Sequence, residues 1–89
     1  MTDHIIRRRP AASLIGESLT GLHEGAARGV YPPPIKVGLR ASGYLASEVE
    51  TIVRAKAAGL TDQQMRELAT RLVKRRCSLR AELLAEVSA

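Results

Sequence analysis

Apolar residues recur at helical spacing in four segments of the chain, and a proline-rich stretch separates the second segment from the third. A first helix is predicted in "RRRPAASLIG", where Pro10 suits the first helical turn and Gly16 suits the end. A second is predicted in "ESLTGLHEGAARG", with Ser18 as N-cap and Gly29 as the end. Two short helices joined around a glycine are typical of a helix-turn-helix.

The second helix contains Gly21 and Gly25 in its interior. Each glycine costs roughly 1 kcal/mol relative to alanine in a helix. We therefore expect this helix to be marginal alone and to depend on packing or on a partner.

The segment after the second helix predicts a two-stranded β wing. Its three prolines, 32–34, hold the backbone extended. "IKV" alternates as a half-buried strand does, "GLRASG" is the predicted turn, and "YL" begins the return strand. Gly38 and Gly43 are free to take positive φ in the turn. Lys36 and Arg40 are predicted on the exposed face and at the tip.

A third helix is predicted from "SEVE", as a capping box in which Ser47 and Glu50 satisfy each other's backbone N–H groups. Gly59 is its predicted end. Its apolar stripe is predicted at helical spacing, at Val49, Ile52, Val53 and Ala57.

A fourth helix is predicted from a second capping box, formed by Thr61 and Gln64. If continuous, it has about 27 residues and extends roughly 40 Å. Its apolar seam is close to a heptad pattern, which favours self-association, with a tail packed on its own domain as the alternative. The predicted self-association residues are Met65, Leu68, Leu72, Leu79 and Leu83. The predicted division is a winged domain at 1–58 and a C-terminal helix at 59–89.

Composition and charge narrow the class of protein. The 89 residues suffice for one small domain, and with no Phe or Trp its core must use Leu, Ile, Val and Ala. Lys and Arg number 14 against 9 acidic residues, a net charge of +5. This balance favours binding to a polyanion such as DNA, RNA or an anionic membrane surface. The alternative is that the charge serves only to keep the protein in solution.

Several classes of function are not expected. No apolar run approaches the roughly 20 residues that span a bilayer, and the start lacks the core of a signal peptide. The single cysteine, Cys77, cannot form an internal disulfide, which favours a reducing cytoplasm. The histidines and the cysteine lie too far apart in sequence for a metal site, and no catalytic arrangement is indicated. We expect neither an enzyme nor a cofactor.

The order of these segments resembles the AlpA-type prophage regulators, small winged helix-turn-helix proteins akin to excisionases and to the DNA-binding domain of MerR-like regulators. The resemblance covers about residues 5–56. The second helix, which stands in the place of the family's recognition helix, departs from the family, with Leu19 and Thr20 where arginine and a Ser-Thr pair are usual. The matching residues lie mostly in the wing and the start of the third helix: Gly29, Tyr31, Pro32, Pro34, Lys36, Gly43, Tyr44, Ser47, Glu48 and Val49.

The resemblance implies a DNA-binding protein of a mobile genetic element. One possibility is an excisionase, or recombination directionality factor, that bends attachment-site DNA for an integrase. Another is a transcriptional activator of excision genes. A third hypothesis, of a different class, is a protein–protein interaction module whose basic surface is incidental.

Candidate DNA contacts follow from the winged arrangement. Thr20 and His23 are the side chains best placed for base edges, and Arg28 could cap carbonyls or reach a phosphate. For each basic residue, an ordinary solvated charge is the alternative, and Lys74, Arg75 and Arg76 could likewise touch DNA or only keep the helix soluble. The predicted contacts are Arg7, Arg8, Arg9, Ser18, Thr20, His23, Arg28, Lys36 and Arg40.

Overall fold

A computed structural model describes residues 3–88, so that Met1, Thr2 and Ala89 lie outside the described residues. It confirms a mainly helical, winged helix-turn-helix type of architecture with a long C-terminal helix. A short strand precedes the first helix, where the sequence predicts no element. The elements in chain order are β1 (Ile5–Arg7), α1 (Arg8–Ile15), α2 (Leu19–Ala27), β2 (Ile35–Lys36), β3 (Ser42–Leu45), α3 (Ala46–Ala57) and α4 (Asp62–Ser88).

The wing belongs to a three-stranded antiparallel sheet. Its middle strand is β3, which pairs with β1 on one side and β2 on the other. Ile5 lies opposite Leu45, and Ile35 lies opposite Gly43. The predicted return strand therefore begins earlier, at Ser42, and the wing gains a third strand from the start of the chain.

Gly38 and Gly43 do not use their freedom to take positive φ. Within residues 3–88, positive φ occurs only at Gly16, Gly29 and Gly59. The hairpin is instead closed by a backbone hydrogen bond from the Val37 N–H to the Ala41 carbonyl oxygen, at 3.0 Å. Gly43 is required for another reason, because a Cβ there would collide with the backbone carbonyl of the adjacent β1 strand.

The predicted helix-turn-helix signals are confirmed. Gly16 ends α1 in the left-handed conformation, with φ of 87°. The Ser18 hydroxyl caps α2 by accepting the Gly21 N–H at 2.9 Å. Gly29, also left-handed, follows the end of α2. Glycine suits both ends because it has no Cβ to oppose positive φ.

Gly25 is explained by packing against an aromatic ring. A Cβ at this position would overlap the ring of Tyr31, which is buried. The glycine that weakens α2 intrinsically therefore lets Tyr31 lie directly against it. At Gly21 a Cβ would meet mainly the flexible end of the Glu17 side chain.

The core lies between the helices and one face of the sheet. All four helices contribute small or aliphatic side chains, and the two tyrosines supply the aromatic surface. Its most completely buried members include Ala11, Leu22, Tyr44, Ile52 and Leu72. Tyr44 projects from β3 on the same face as Ile6 of β1, which packs against this core.

The predicted capping box of α3 is wrong in its residues. The helix begins two residues earlier, at Ala46, and the Glu48 carboxylate accepts the Leu45 N–H at 3.1 Å. Ser47 lies inside the helix, and both its N–H and its hydroxyl donate to the carboxylate of Asp3, at 3.1 and 2.6 Å. Glu50 is exposed. Because β3 runs directly into α3, the N-cap is Leu45 and Ser47 lies one position inside the helix start.

The predicted apolar stripe of α3 is half correct. Val49 and Ile52 are buried, whereas Val53 is 37% exposed and Ala57 is exposed. Ala55 is buried in their place. The buried face is therefore displaced around the helix, toward the side on which Glu48 also turns inward. Gly59 follows the helix with positive φ, as predicted.

The fourth helix is continuous over 27 residues, as predicted. Its capping box is confirmed, because the Thr61 N–H donates to the Gln64 side chain at 2.9 Å and the reciprocal bond is 3.2 Å long. Met65 and Leu72 in its first half are buried, whereas every residue from 77 to 88 is exposed. Over residues 3–88, no helix is both long enough and apolar enough to cross a membrane.

Candidate nucleic-acid interface

Three elements meet around a basic hollow, which we call the arginine hollow. The start of α1, the start of α2 and the tip of the wing surround an open depression of about 290 Å³. It thus brings together residues that are up to 35 positions apart in sequence. The lining residues are Arg7, Arg8, Arg9, Pro10, Leu19, Arg40, Ala41 and Ser42.

The arginines of the hollow lack a counter-charge in the part of the chain that the structure describes. Within residues 3–88, the guanidinium groups of Arg7, Arg8, Arg9 and Arg40 make no hydrogen bond or ion pair with other side chains or the backbone. The first turn of α1 also lacks an acidic residue. Since a helix N-terminus carries partial positive charge, cations there are unfavourable unless an anion is present. The hollow is therefore suited to an anionic group.

The exposed face of α2 borders the hollow. Thr20 lies in its first turn and His23 one turn later, and both side chains are exposed. His23 lines a shallow groove shared with Arg8, Pro34 and Tyr44. Burial raises the pKa of the Tyr44 phenol, although the nearby charges of Arg76 and Arg8 oppose that shift.

Two further predicted contacts lie at the edges of this surface. Ser18 is committed to capping α2 through its oxygen, although the hydroxyl proton can still be donated. Lys36 is exposed on β2 and lies opposite Ser42, one of the residues that line the hollow. Neither residue lines the arginine hollow, although Ser18 precedes Leu19, which does.

Arg28 does not join the other predicted contacts. It lies after the opposite end of α2, where its guanidinium pairs with Asp62 of α4 at 3.3 Å. Its backbone carbonyl accepts a hydrogen bond from Arg66. This arrangement ties α2 to α4, and the predicted carbonyl capping by the Arg28 side chain is not formed.

The basic run of α4 is divided in its roles. The Arg76 side chain is mostly buried. It forms an ion pair with Glu48 and donates a hydrogen bond to the carbonyl of Pro33. Lys74 and Arg75 remain exposed. Arg76 is thus a structural residue that joins α4 to the base of the wing, and it is not free for an external anion.

Leu39 was missed by the sequence reasoning. It lies at the tip of the wing beside Arg40, and 96% of its surface is exposed. A leucine in a turn otherwise made of glycine, serine, alanine and arginine was the available signal. An apolar side chain displayed so completely at the end of a hairpin is the kind of group that proteins insert between base pairs.

No clustered metal ligands occur in the described part of the chain. Comparisons of the chain with protein-family models, with curated proteins and with solved structures give no match.

Proposed function

We propose that the protein binds double-stranded DNA in the cytoplasm and acts as an excisionase, bending attachment-site DNA to favour excision by an integrase. The observation that carries the proposal is the arginine hollow, in which Arg7, Arg8, Arg9 and Arg40 converge without a hydrogen-bond or ion-pair partner among residues 3–88. Groups of this kind position a protein on the DNA backbone by neutralising phosphates.

Backbone contacts dominate the proposed complex. A phosphate in the arginine hollow meets guanidinium groups and the positive end of α1 together. With α2 in the major groove, the wing lies along the flanking backbone or minor groove. Arg40 suits a narrow minor groove, whose potential is more negative.

Base reading plays a smaller part. Among the exposed side chains at the front of α2, Thr20 and His23 are the polar groups that face outward beside the hollow. Specificity of this limited kind suits a protein that shapes DNA more than one that selects a single promoter. Leu39 at the wing tip supports bending, because an apolar wedge unstacks neighbouring base pairs and kinks the duplex.

A gel-shift titration against attachment-site DNA at two salt concentrations tests the binding step. Counterion release predicts that log affinity falls with log salt, with a slope of about −0.9 per phosphate contacted. Arg40→Ala should weaken binding and reduce the slope by about 1. Arg54→Ala is the matched control, since Arg54 is exposed on α3 and lines none of the hollow. Absence of any shift at low salt would reject DNA binding and favour the interaction-module hypothesis.

An excision assay with the purified integrase tests the second step. Stimulation of excision in the absence of transcription supports the architectural role. Binding without stimulation rejects it and transfers support to the transcriptional activator.

A further inference from the structure

An apolar cleft lies between the sheet and the second half of α4, away from the core. Each strand contributes one aliphatic side chain: Ile5, Ile35 and Leu45. These residues share the face opposite Tyr44 and Ile6, as the register requires. The cleft has a volume of about 430 Å³, and α4 supplies its other wall with Leu79, Leu83, Leu84 and Val87.

The side chains of α4 in this cleft are exposed to an unusual degree for leucine and valine. Leu83 and Leu84 are about half exposed, and Val87 is 83% exposed. A contiguous apolar surface of this kind marks an interaction site. The final turns of α4 are exposed throughout, so the domain contributes little to their stability. A helical segment this short is marginal in water without packing, and a partner would stabilise it.

We propose that a second copy of the chain fills this cleft with the second half of its own α4, in an antiparallel, two-fold arrangement. The apolar side chains of α4 at Leu79, Leu83, Leu84 and Val87 form a ridge that would pack on the outer face of the other copy's sheet. Each copy carries both the ridge and the cleft, as a two-fold interface requires. The proposal does not depend on DNA binding.

The charges on α4 select a second copy and set its direction. Arg71, Arg75, Glu82 and Glu86 lie on one flank of the helix, within about 60° of one another at 3.6 residues per turn. All four side chains are exposed. The basic pair precedes the acidic pair along the chain, so the flank is positive toward the domain and negative toward the end.

A two-fold axis perpendicular to the helices brings the same flank of each copy together. Pairing centred beside Leu79 places Glu82 opposite the partner subunit's Arg75, and Glu86 opposite the partner subunit's Arg71. Parallel pairing in register would keep like charges at the same level. Opposite charges at facing positions favour one register, whereas like charges oppose it.

This surface differs from the seam predicted by the heptad pattern. Met65 and Leu72 are buried in the chain's own core, and Leu68 packs against that core. Only Leu79 and Leu83 of the predicted self-association residues are exposed. The structure assigns association to these two residues together with Leu84, Val87 and the outer face of the sheet.

Sedimentation equilibrium of the full chain without DNA tests the proposal over the micromolar range. We expect a reversible monomer–dimer equilibrium that Leu83→Glu shifts to monomer. Leu14→Glu is the matched control, because Leu14 is 58% exposed on α1 and lies outside the cleft. A protein that stays monomeric throughout the range overturns the proposal, as does a dimer that Leu83→Glu leaves unchanged. Circular dichroism verifies that each variant keeps its helical content.

Charge exchange tests the direction of pairing. The double variant E82R/E86R should raise the dimer dissociation constant at least about tenfold, because several exposed ion pairs become repulsive together. The quadruple variant R71E/R75E/E82R/E86R reverses every charge and should restore dimerisation. E50R/E67R is a charge-matched control outside the paired flank. Failure of the quadruple variant to recover overturns the antiparallel arrangement. A DNA-binding failure with an intact dimer would reject only the proposed function.

Discussion

Arg76 and Glu48 form a two-pronged ion pair that joins α4 to the start of α3. Arg76 Nε lies 2.6 Å from Glu48 Oε2, and Arg76 Nη2 lies 2.7 Å from Glu48 Oε1. The Glu48 side chain is only 4% exposed. The same carboxylate accepts the Leu45 N–H, and the same guanidinium donates to the Pro33 carbonyl. One pair thus fixes the base of the wing, the cap of α3 and the middle of α4.

Removal of Arg76 should destabilise the fold strongly. Arg76→Ala leaves a buried carboxylate without its counter-charge, and we expect the free energy of unfolding to fall by about 3 kcal/mol. Arg76→Lys should recover part of the loss, because lysine restores the charge but not the two-pronged geometry. Urea denaturation measures both. Lys74→Ala, at an exposed neighbouring position outside the paired flank, should change stability by less than about 0.5 kcal/mol. Equal effects of the two alanine variants would show that the ion pair is not structurally important.

The two glycines inside α2 should respond oppositely to alanine. Gly25→Ala forces a methyl group into the Tyr31 ring, and we expect a net loss of about 1–2 kcal/mol despite the better helix propensity of alanine. Gly21→Ala meets mainly the movable end of Glu17 and should be neutral or stabilising by up to about 1 kcal/mol. Thermal and urea unfolding of the two variants provide the comparison. A stabilising Gly25→Ala would contradict the close packing of Tyr31 on α2.

Leu39 should contribute more to DNA bending than to affinity. Leu39→Ala removes the proposed wedge while it keeps Arg40 and the arginine hollow, so the bend angle should decrease and affinity should fall less than tenfold. Fluorescence energy transfer between the ends of a short duplex measures the angle. Leu14→Ala is the control for loss of an exposed leucine elsewhere. An unchanged bend angle in Leu39→Ala would remove the wedge from the mechanism.

The contact between Asp3 and Ser47 should give a pH-dependent contribution to stability. Hydrogen bonds from Ser47 hold the pKa of Asp3 below its usual value of 3.8. The folded state therefore binds this proton less readily than the unfolded state, and the contribution is present above that value and lost as pH falls through the lowered pKa. Asp3→Asn should destabilise the protein at neutral pH by less than about 1 kcal/mol, because the pair is exposed.

The difference between Asp3→Asn and the unmodified protein should shrink as the pH falls below 3.8 and through the lowered pKa of Asp3. Chemical denaturation across this range measures it. Glu50→Gln is the control, since Glu50 is exposed and lies outside this contact. A stability difference that stays constant with pH would exclude a role for the Asp3 carboxylate charge.

Local signals in the sequence predicted most of the helices. Ser18, Thr61 and the three left-handed glycines act through hydrogen bonds or backbone angles within a few residues, so their roles follow from the neighbouring sequence. The continuous α4 was likewise evident from its spacing. The order of the helix-turn-helix and the wing also indicated that the arginines at the start of α1 lie on the same side as the wing. The hollow that they form with Arg40 depends on three-dimensional packing.

Long-range pairings explain what the sequence did not predict. The strand at Ile5–Arg7 is short and exists through β3, which lies nearly 40 residues later. Arg76 and Glu48 are 28 residues apart, and nothing near either one indicates its partner. Because Arg76 draws Glu48 inward, the buried face of α3 also shifts away from Val53. Leu39, in contrast, was visible as an apolar residue in a turn.

The position of β3 between β1 and β2 has a consequence for the order of assembly. The β2–β3 hairpin closes a loop of a few residues and can form early, whereas β1 must wait for a partner far along the chain. On a ribosome, Arg7 would therefore emerge long before Gly43, the residue opposite it, has been synthesised. The arginine hollow, which needs the end of β1 and the wing together, is therefore completed only after the wing has been synthesised.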